Sequence, residues 1–247
     1  DLIKQRLRVY LPFILPLAEK CVPVAALDLG CGRGEWLELL AEHGFVAQGV
    51  DIDDAMLSDC RHLGLAVHTA DALAFLRALP SESQSLITGF HIAEHLPFDT
   101  LQELVGQALR VLRPGGLLIL ETPNPENITV GTASFYLDPT HEHPLPPPLL
   151  AFLTEFSGFK RHKILRLQES SNPLHDDVPV TLLQVLAGVS PDYAVVAQKE
   201  GPVDLFSGLN VAFSVDYGVE LDVLASIYQK QLDAKTQQLD AKTQQLD

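Results

Sequence analysis

Residues 26–36 read A-L-D-L-G-C-G-R-G-E-W and contain three glycines at alternate positions. The chain reaches this stretch through a short apolar run from Val22 to Leu29, which is typical of a strand buried on both faces of a parallel sheet. Apolar residues at helical spacing follow it as far as Gly44, a residue suited to the left-handed end of a helix. The stretch therefore predicts a buried strand, a glycine loop and a helix in direct succession.

The same alternation of strand and helix continues to residue 121. Strands that alternate with helices of this length form right-handed crossover units, and such units build a doubly wound parallel sheet. A helix at 148–156 and strands at 162–167 and 193–197 complete the pattern after a long loop. We therefore predict an α/β fold with a seven-stranded, doubly wound, Rossmann-like sheet. The first five strands are predicted at 22–29, 45–50, 66–69, 85–90 and 117–121, with further helices at 54–63, 72–78 and 100–112.

The C-terminal tail differs from the rest of the chain because it repeats. Residues 231–237 read Q-L-D-A-K-T-Q and residues 238–244 repeat them, so Leu232, Leu239 and Leu246 recur at the d position of a heptad. The repeat predicts the start of a coiled coil and hence a homo-oligomer, either a dimer or a trimer; a solvated single helix is the alternative. The predicted organisation is a sheet domain at 1–200 that begins with a helix at 1–20, a linker at 201–217 and a coiled-coil start at 218–247.

The net charge of −15 argues against nucleic-acid binding, because that function needs a basic surface to displace counterions. The 3 cysteines include no C-x-x-C pair, so neither a disulfide framework nor a zinc site is expected. No apolar run is long enough to cross a bilayer, and the first residues lack the pattern of a signal peptide. We expect a cytoplasmic protein with no transmembrane segment, peripheral at the inner membrane at most through partners. A start without Met and an end inside a repeat favour a fragment of a longer chain.

The glycine loop is the first group of residues that carries chemistry. Gly30, Gly32 and Gly34 follow the pattern G-x-G-x-G. Dinucleotide-binding proteins use G-x-G-x-x-G instead, where the glycines admit a pyrophosphate to a helix N-terminus. The different spacing favours a small zwitterionic ligand, beneath which glycine lets the backbone pass closely.

Two aspartates follow the loop at the ends of the next two predicted strands. Asp51 comes 17 residues after Gly34, where a carboxylate can accept hydrogen bonds from both hydroxyls of a ribose. Asp71 is placed to accept from an adenine amino group, with Ile52 and Ala72 flanking the ring. Aspartates also end strands as helix N-caps, which is the alternative for both. Their order and spacing together favour an adenosine-like ligand.

Four motifs make the chain similar to the class I S-adenosylmethionine-dependent methyltransferases. They are D-L-G-C-G-R-G at 28–34, G-V-D-I-D at 49–53, A-D-A at 70–72 and L-R-P-G-G-L-L-I-L at 112–120. The resemblance implies S-adenosylmethionine as the cofactor, bound across the carboxyl ends of strands one to four with its sulfonium near the end of the fourth. The cofactor-binding residues that it implies are Asp28, Gly30, Gly32, Gly34, Asp51, Ile52, Asp71, Ala72 and His91.

The fourth strand ends in G-F-H-I-A-E-H-L-P at 89–97, and the resemblance places His91, Glu94 and His95 nearest to the transferred methyl group. A poorly nucleophilic acceptor such as a sugar hydroxyl needs a base, and histidine is suited to this role near neutral pH. We predict His95 or His141 as the base, with Glu94 orienting one of them. Each histidine has the alternative of a structural hydrogen bond without a chemical role. No metal is predicted, although ligand atoms are offered by His91, Glu94, His95, His141, Glu142 and His143.

The proline-rich segment 122–148 predicts a lid or binding loop, because it is long for a compact domain. Its sequence N-P-E-N … S-F-Y-L-D-P-T-H-E-H-P-L-P-P-P resembles bacterial methyltransferases that act with polysaccharide-assembly glycosyltransferases, including O-antigen chain-capping enzymes that carry a coiled coil. The resemblance implies a glycan or lipid-linked polysaccharide acceptor and a glycosyltransferase as partner or fused domain. Phe135 and Tyr136 are candidates to contact the sugar, whereas Trp36 is expected in the core.

Three functions remain open at this point. The first is an O-methyltransferase for a sugar hydroxyl of a bacterial surface polysaccharide, which caps the non-reducing end and stops chain growth. The second is a methyltransferase for a quinone precursor or a secondary metabolite. The third is a non-catalytic coiled-coil scaffold with a vestigial cofactor pocket. Binding of S-adenosylmethionine separates the third function from the other two.

Overall fold

The computed structural model describes residues 2–20, 23–169 and 179–245, so Val22 and the predicted heptad residue Leu246 lie outside the described residues. The strands are β1 (Ala25–Leu29), β2 (Val46–Asp51), β3 (Ala66–Thr69), β4 (Gln84–Phe90), β5 (Leu112–Pro123), β6 (Arg161–Leu167) and β7 (Asp192–Gln198). The helices are α1 (Leu2–Leu7), α2 (Leu11–Lys20), α3 (Glu35–Glu42), α4 (Asp54–His62), α5 (Ala72–Ala78), α6 (Phe98–Val111), α7 (Ile128–Thr132), α8 (Pro147–Ser157), α9 (Leu182–Ala187), α10 (Val203–Ser214) and α11 (Leu221–Gln244).

The seven strands form one sheet in the order β3-β2-β1-β4-β5-β7-β6. Each neighbouring pair from β3 to β5 is parallel. β7 runs antiparallel to both β5 and β6, so the prediction of a wholly parallel sheet was wrong at this edge. The predicted number of strands and their succession along the chain are confirmed. Their direction was not predictable from apolar runs, because a strand buried on both faces has the same pattern whichever way it runs.

The loop between β1 and α3 requires glycine at Gly34. Its φ is +84°, a conformation that L side chains rarely adopt, and an added Cβ would lie 2.7 Å from the Leu65 side chain and 2.9 Å from Cys60 Sγ. Gly34 therefore lets the chain turn tightly against α4 and its following loop. The turn places the start of α3 at the carboxyl end of β1.

The core has two layers, one on each face of the sheet. Successive side chains of a strand point to opposite faces, and β1 shows this clearly. Leu27 and Leu29 join the cluster that contains α5, α6 and α8, whereas Ala26 joins the cluster that contains α2, α3 and α10. Burial of a leucine side chain contributes roughly 1.5–3 kcal/mol to the free energy of unfolding. Both layers thus hold the carboxyl ends of the parallel strands in place.

The predicted linker at 201–217 is instead mostly helical, because it contains α10. Leu205, Leu209 and Ala212 of this helix are buried in the cluster that also contains α2. The Arg161 guanidinium of β6 lies over Phe213, 4.1 Å from the ring centroid. The linker prediction was therefore wrong for α10. At the other end, the helix predicted at 1–20 is divided into α1 and α2 by a 3-10 turn at Arg8–Tyr10.

The predicted C-terminal helix is present as α11. Its first turns pack on the sheet domain, where Leu224 is fully buried in a cluster with Val180, Val189 and Val219. Further along, Leu232 and Leu239 are 46% and 66% exposed. The helix confirms the predicted secondary structure, while the coiled coil stays a prediction. Within the described part of the chain, no helix has the length and apolar character needed to span a membrane.

Candidate active site

The glycine loop and the end of β2 are joined by hydrogen bonds. The Gly32 amide donates to Asp51 Oδ2 at 2.9 Å, and the Asp53 amide donates to Asp51 Oδ1 at 2.9 Å. The Gly30 amide donates to the Val50 carbonyl oxygen at 2.8 Å. A carboxylate oxygen can accept more than one hydrogen bond, so these contacts hold Asp51 while leaving it able to bind a ligand hydroxyl.

A cavity of about 620 Å³ opens beside Asp51 at the carboxyl ends of the parallel strands. Ile52, which is 77% exposed, forms part of its wall. Asp71 lines the cavity and also caps α5, since its Oδ1 accepts from the Ala74 amide at 2.8 Å. Asp71 is thus a helix N-cap, as the alternative reading of its position predicted, while its contact with adenine stays a prediction. The structure brings together in this cavity the predicted residues Gly30, Asp51, Ile52, Asp71, Ala72, His91 and His95.

A second cavity of about 290 Å³ adjoins the first and shares Gly30 and His91 with it. It runs beneath α1, which contributes Arg6 to the lining. Its other charged walls are Asp28, Glu35, Glu121 and Asp192. Gly32 and Gly34 line neither cavity, so these two predicted cofactor residues shape the loop rather than the cavity surface.

Asp28 is a buried carboxyl group at the junction of β1 and the loop. It is 2% exposed, and the Thr88 hydroxyl donates to its Oδ1 at 2.7 Å. Burial raises its pKa to about 7; the Thr88 hydrogen bond opposes this rise and the charge of Asp51 adds to it. Asp28 therefore exchanges its proton in the neutral pH range.

His91 lies between two carboxylates at the end of β4. Its Nδ1 is 3.1 Å from Glu94 Oε1, and its Nε2 is 3.6 Å from Glu121 Oε1. Burial lowers the pKa of His91, but the hydrogen bonds to Glu121 and Glu94 outweigh burial and raise the pKa to about 10. The imidazole is therefore positively charged at neutral pH, and it cannot act as a general base there.

The Glu94 side chain belongs to the hydrogen-bond network around His91. Its side chain is fully buried, and its Oε2 accepts a hydrogen bond from the Thr122 hydroxyl at 2.9 Å. Among the described residues, the side-chain hydrogen bonds of Glu94 run to Thr122 and His91. The prediction that Glu94 orients His95 or His141 was therefore wrong as a hydrogen-bonding role. Its backbone carbonyl oxygen accepts instead from the Glu142 amide at 2.8 Å, which ties the lid to the end of β4.

The structure brings His95 and His141 together, with ring centroids 4.7 Å apart. His95 Nδ1 lies 3.0 Å from Thr140 Oγ1, and His141 Nδ1 lies 2.6 Å from the Phe135 carbonyl oxygen. His95 lines the larger cavity together with Thr140. His141 lies behind it, with its side chain 13% exposed. His95 is thus the better placed of the two predicted bases.

Two groups of side chains offer ligand atoms for a metal ion. Glu94, His95 and His141 have such atoms within 4.8 Å of one another. The same holds for His91, Glu121 and Asp192. Imidazole and carboxylate suit several divalent metals, so these groups are where a metal would bind. The absence of a metal from the site stays a prediction.

The aromatic residues divide between core and surface. Phe135 is 2% exposed and packs on the His141 ring at 4.5 Å between centroids, so its face is not free for a sugar. Tyr136 is 61% exposed beside it and remains a candidate acceptor contact. Trp36 is buried against Tyr10 and Phe90, as expected of a core residue.

Sequence reasoning missed several polar residues that the fold places around the predicted site. Glu121 receives hydrogen bonds from Tyr10 and from Gln168, the latter at 2.9 Å. Asp138 and Thr140 belong to the D-P-T-H segment of the lid, where Thr140 contacts His95 and Asp138 accepts from Thr140. The signal for the lid pair was present, because Asp-x-Thr is a common side-chain-to-backbone turn. Nothing in the sequence related that turn to a histidine 45 residues earlier.

The fold and the paired cavities define an α/β protein that binds an adenosine-like ligand at the strand ends. A family model described as a methyltransferase domain matches residues 2–157, more than half of the chain. The chain therefore belongs to this methyltransferase family.

Similar proteins agree with this assignment. A probable S-adenosylmethionine-dependent methyltransferase of Mycolicibacterium smegmatis is 32% identical over 144 residues, 58% of this chain and 55% of the relative. A ubiquinone biosynthesis O-methyltransferase of Methylococcus capsulatus is 34% identical over 107 residues, 40% of this chain and 43% of the relative. The chain thus spans about half the length of these curated relatives. The crystal structure of a SAM-dependent methyltransferase from Archaeoglobus fulgidus matches with a TM-score of 0.69 and 32% identity, covering 80% of this chain and 93% of that one.

The residues present fit S-adenosylmethionine as the cofactor. The larger cavity offers Asp51 to ribose hydroxyls and the exposed Ile52 to an adenine face. The smaller cavity offers the Arg6 guanidinium to a carboxylate and the Glu121 carboxylate to an ammonium group. Because both cavities share Gly30, one elongated ligand can extend through both. When bound, the cofactor supplies a methyl group on a positively charged sulfur.

Proposed function

We propose that the chain is an O-methyltransferase whose acceptor is a sugar hydroxyl of a bacterial surface polysaccharide, and that methylation of the non-reducing end stops chain growth. The observation that carries transfer to oxygen is the position of His95, which lines the larger cavity beside the lid. A hydroxyl is a poor nucleophile, so its methylation benefits from a neighbouring base. His91 cannot supply that base, because its pKa is raised to about 10 by its carboxylate neighbours.

The residues of the chain act mainly by alignment. Asp51 and the glycine loop fix one end of the site, and the lid closes the other, so that acceptor oxygen and methyl carbon meet in line. Held by Asp51 and the glycine loop, S-adenosylmethionine would supply the methyl group to the acceptor oxygen and would leave as a neutral thioether. The hydroxyl proton passes to an imidazole nitrogen of His95. Water then takes the proton from His95, which restores the neutral ring.

The lid supports a sugar as the acceptor. Asp138 and Thr140 are exposed there, and Tyr136 offers an exposed ring next to them. Hydrogen-bonding side chains next to an exposed aromatic face suit a sugar, which has hydroxyls around its rim and apolar C–H groups on its faces. The lid also resembles that of methyltransferases that act with polysaccharide-assembly glycosyltransferases. A glycosyltransferase, separate or fused, is therefore the proposed partner.

A second candidate is a phenolic hydroxyl of a quinone precursor. It is favoured by the relative from Methylococcus capsulatus, which is named a ubiquinone biosynthesis O-methyltransferase. A phenol needs less help from a base than a sugar hydroxyl does, since it ionises more easily. The two candidates therefore differ in how strongly transfer depends on His95.

Methyl-labelled S-adenosylmethionine tests the acceptor directly. The protein is incubated with a lipid-linked glycan, with a panel of sugar glycosides and with a catechol. We expect label in the glycan or in a glycoside, and loss of that label in the His95→Ala variant. Label in the catechol with none in any sugar would overturn the sugar proposal in favour of the second candidate. A His95→Ala variant that labels sugars as fast as the parent would overturn the role of the base.

We also propose that α11 joins copies of the chain as a dimer or trimer. Leu232 and Leu239 are exposed seven residues apart on this helix, as the d positions of a coiled coil require. Light scattering after size exclusion measures the mass over a range of protein concentrations. A multiple of 27.0 kDa that falls to one chain in a Leu232→Lys, Leu239→Lys variant is expected. A single chain at every concentration would contradict the proposal.

A further inference from the structure

Asp138 lies between the two histidines of the site. Its Oδ1 accepts from the Thr140 hydroxyl at 2.6 Å and from the Thr140 amide at 2.8 Å. Its Oδ2 lies 3.9 Å from His141 Nε2. The hydrogen bonds from the Thr140 hydroxyl and amide hold the pKa of Asp138 below its ordinary value. The carboxylate is therefore ionised at neutral pH.

These contacts determine which nitrogen of His95 carries the hydrogen. The Thr140 hydroxyl has one hydrogen, and that hydrogen is donated to Asp138. Thr140 Oγ1 must therefore accept at its 3.0 Å contact with His95 Nδ1. The Thr140 carbonyl oxygen, 3.3 Å from the same nitrogen, can only accept. His95 Nδ1 is thus the donor, which leaves the lone pair of the neutral ring on Nε2.

The neighbouring histidine is held in the same way. His141 Nδ1 lies 2.6 Å from the Phe135 carbonyl oxygen, which can only accept, so this nitrogen also carries the hydrogen. All the fixing groups, Phe135, Asp138 and Thr140, belong to the lid. The two histidines come from different parts of the chain, yet one lid turn sets the hydrogen positions of both.

We propose that Asp138 and Thr140 are positioning residues for methyl transfer, which hold His95 with Nδ1 as donor so that Nε2 receives the proton of the acceptor. This proposal rests on the proposed function, because a base is needed only for a hydroxyl acceptor. Thr140 fixes the hydrogen position, and Asp138 fixes Thr140. Asp138 also stabilises the positive charge that His95 gains, through the short chain from carboxylate to hydroxyl to imidazole.

The charged and titratable groups around His95 come from two elements. Asp138 and His141 face it from the lid, and the Glu94 carboxylate lies nearby on the turn that follows β4. Glu94 is neutralised by His91, with 3.1 Å between Oε1 and Nδ1. Asp138 is therefore the carboxylate that responds to a proton on His95.

The variants Thr140→Val and Thr140→Ser test the proposal as a matched pair. Valine keeps the size of the side chain and removes the hydroxyl, whereas serine keeps the hydroxyl. We expect Thr140→Val to lower kcat on the order of tenfold to a hundredfold, the part of general base catalysis that depends on alignment. The KM and Kd for S-adenosylmethionine should stay within about twofold of the parent values, because valine keeps the size of the wall that Thr140 contributes to the larger cavity, while the proposed polar contacts to the cofactor come from Asp51, Arg6 and Glu121. Thr140→Ser should restore kcat to within about threefold, and Asp138→Asn should lower kcat in the same direction as Thr140→Val.

Nitrogen NMR of histidine-labelled protein gives a readout that does not depend on activity. The His95 signals, assigned by their loss in a His95→Asn variant, should show hydrogen on Nδ1 in the parent and in Thr140→Ser. In Thr140→Val only the 3.3 Å contact with the backbone carbonyl oxygen remains at Nδ1, so the share of the tautomer with hydrogen on Nε2 should rise. Hydrogen on Nε2 in the parent, or a fixed Nδ1 hydrogen together with full kcat in Thr140→Val, would overturn the proposal. If the parent transfers methyl to no hydroxyl, the proposed function fails, while the tautomer of His95 still tests the positioning by Thr140.

Discussion

The amide of Gly32 donates to Asp51 Oδ2 at 2.9 Å, so the glycine loop after β1 and the acidic end of β2 form one unit. The loop cannot take another shape without releasing the carboxylate, and the carboxylate cannot turn away without leaving the Gly32 amide unpaired. An amide that loses its partner away from water costs about 1–3 kcal/mol. The two motifs that define the cofactor site are therefore coupled through the backbone.

Gly34→Ala should destabilise the protein. The new Cβ would lie 2.7 Å from the Leu65 side chain at a φ of +84°, so both contact and backbone are strained. Such strain costs about 1–3 kcal/mol. The control is Gly106→Ala in α6, where no atom of the described residues lies within 4 Å of the added Cβ. In that variant the free energy of unfolding should rise by about 0.5–1 kcal/mol, because glycine is unfavourable inside a helix. Urea unfolding measures both, and a stable Gly34→Ala protein would contradict the account of the loop.

The charge of His91 predicts a pH dependence of stability. The folded protein holds a proton on His91 up to pH about 10. The unfolded chain releases that proton near pH ~6.5. The stabilisation that His91 contributes is fully present below pH ~6.5, its pKa in the unfolded chain. It is lost as the pH rises through about 10, its pKa in the folded protein. Replacement by asparagine, which tolerates the left-handed backbone at φ +53°, should remove this dependence.

Urea unfolding between pH 6 and pH 10 measures the effect of His91→Asn. The parent should lose more free energy of unfolding across this range than the variant does. His62→Gln serves as the control, because His62 is exposed on α4 and should leave the parent pH dependence unchanged. Equal pH dependence in the parent and in His91→Asn would show that the imidazole is not held charged by Glu94 and Glu121.

Removal of metal ions should leave the activity unchanged. His95 and His141 each use Nδ1 in a hydrogen bond within the protein, and the proposed transfer uses His95 as a base and no metal. Dialysis against a chelator, followed by measurement of kcat, tests this expectation. If activity is lost and Mg²⁺ or Mn²⁺ restores it, the expectation is contradicted. Glu94, His95 and His141 would then be the metal ligands, because their ligand atoms lie within 4.8 Å of one another.

The sequence predicted which of the proposed cofactor residues meet at the strand ends, because these residues belong to short motifs at the ends of consecutive strands; their contact with the cofactor stays a prediction. Gly30, Asp51 and Asp71 come together simply because parallel strands end at the same edge of a sheet. The lid half was less predictable. Thr140 meets His95 across 45 residues of sequence through a turn whose shape depends on packing. The spacing of residues along the sequence does not predict such a contact.

Two features of the fold were missed for related reasons. α10 has apolar residues on its exposed side as well, with Val203 and Val211 84% and 75% exposed, so it lacks the clear pattern of an amphipathic helix. β7 has a run of apolar residues that fits either strand direction. In both cases tertiary packing, rather than local pattern, decides the structure.

Isothermal titration with S-adenosylmethionine measures whether the cavity beside Asp51 binds the cofactor. The parent should bind the cofactor, and Asp51→Ala should bind it at least about tenfold more weakly, because a hydrogen bond to a charged group contributes about 1.5–3 kcal/mol. Asp59→Ala is the matched control, since Asp59 is exposed on α4 away from both cavities, and its affinity should equal that of the parent. Failure of the parent to bind S-adenosylmethionine, or equal affinity in the parent and in Asp51→Ala, would contradict the account.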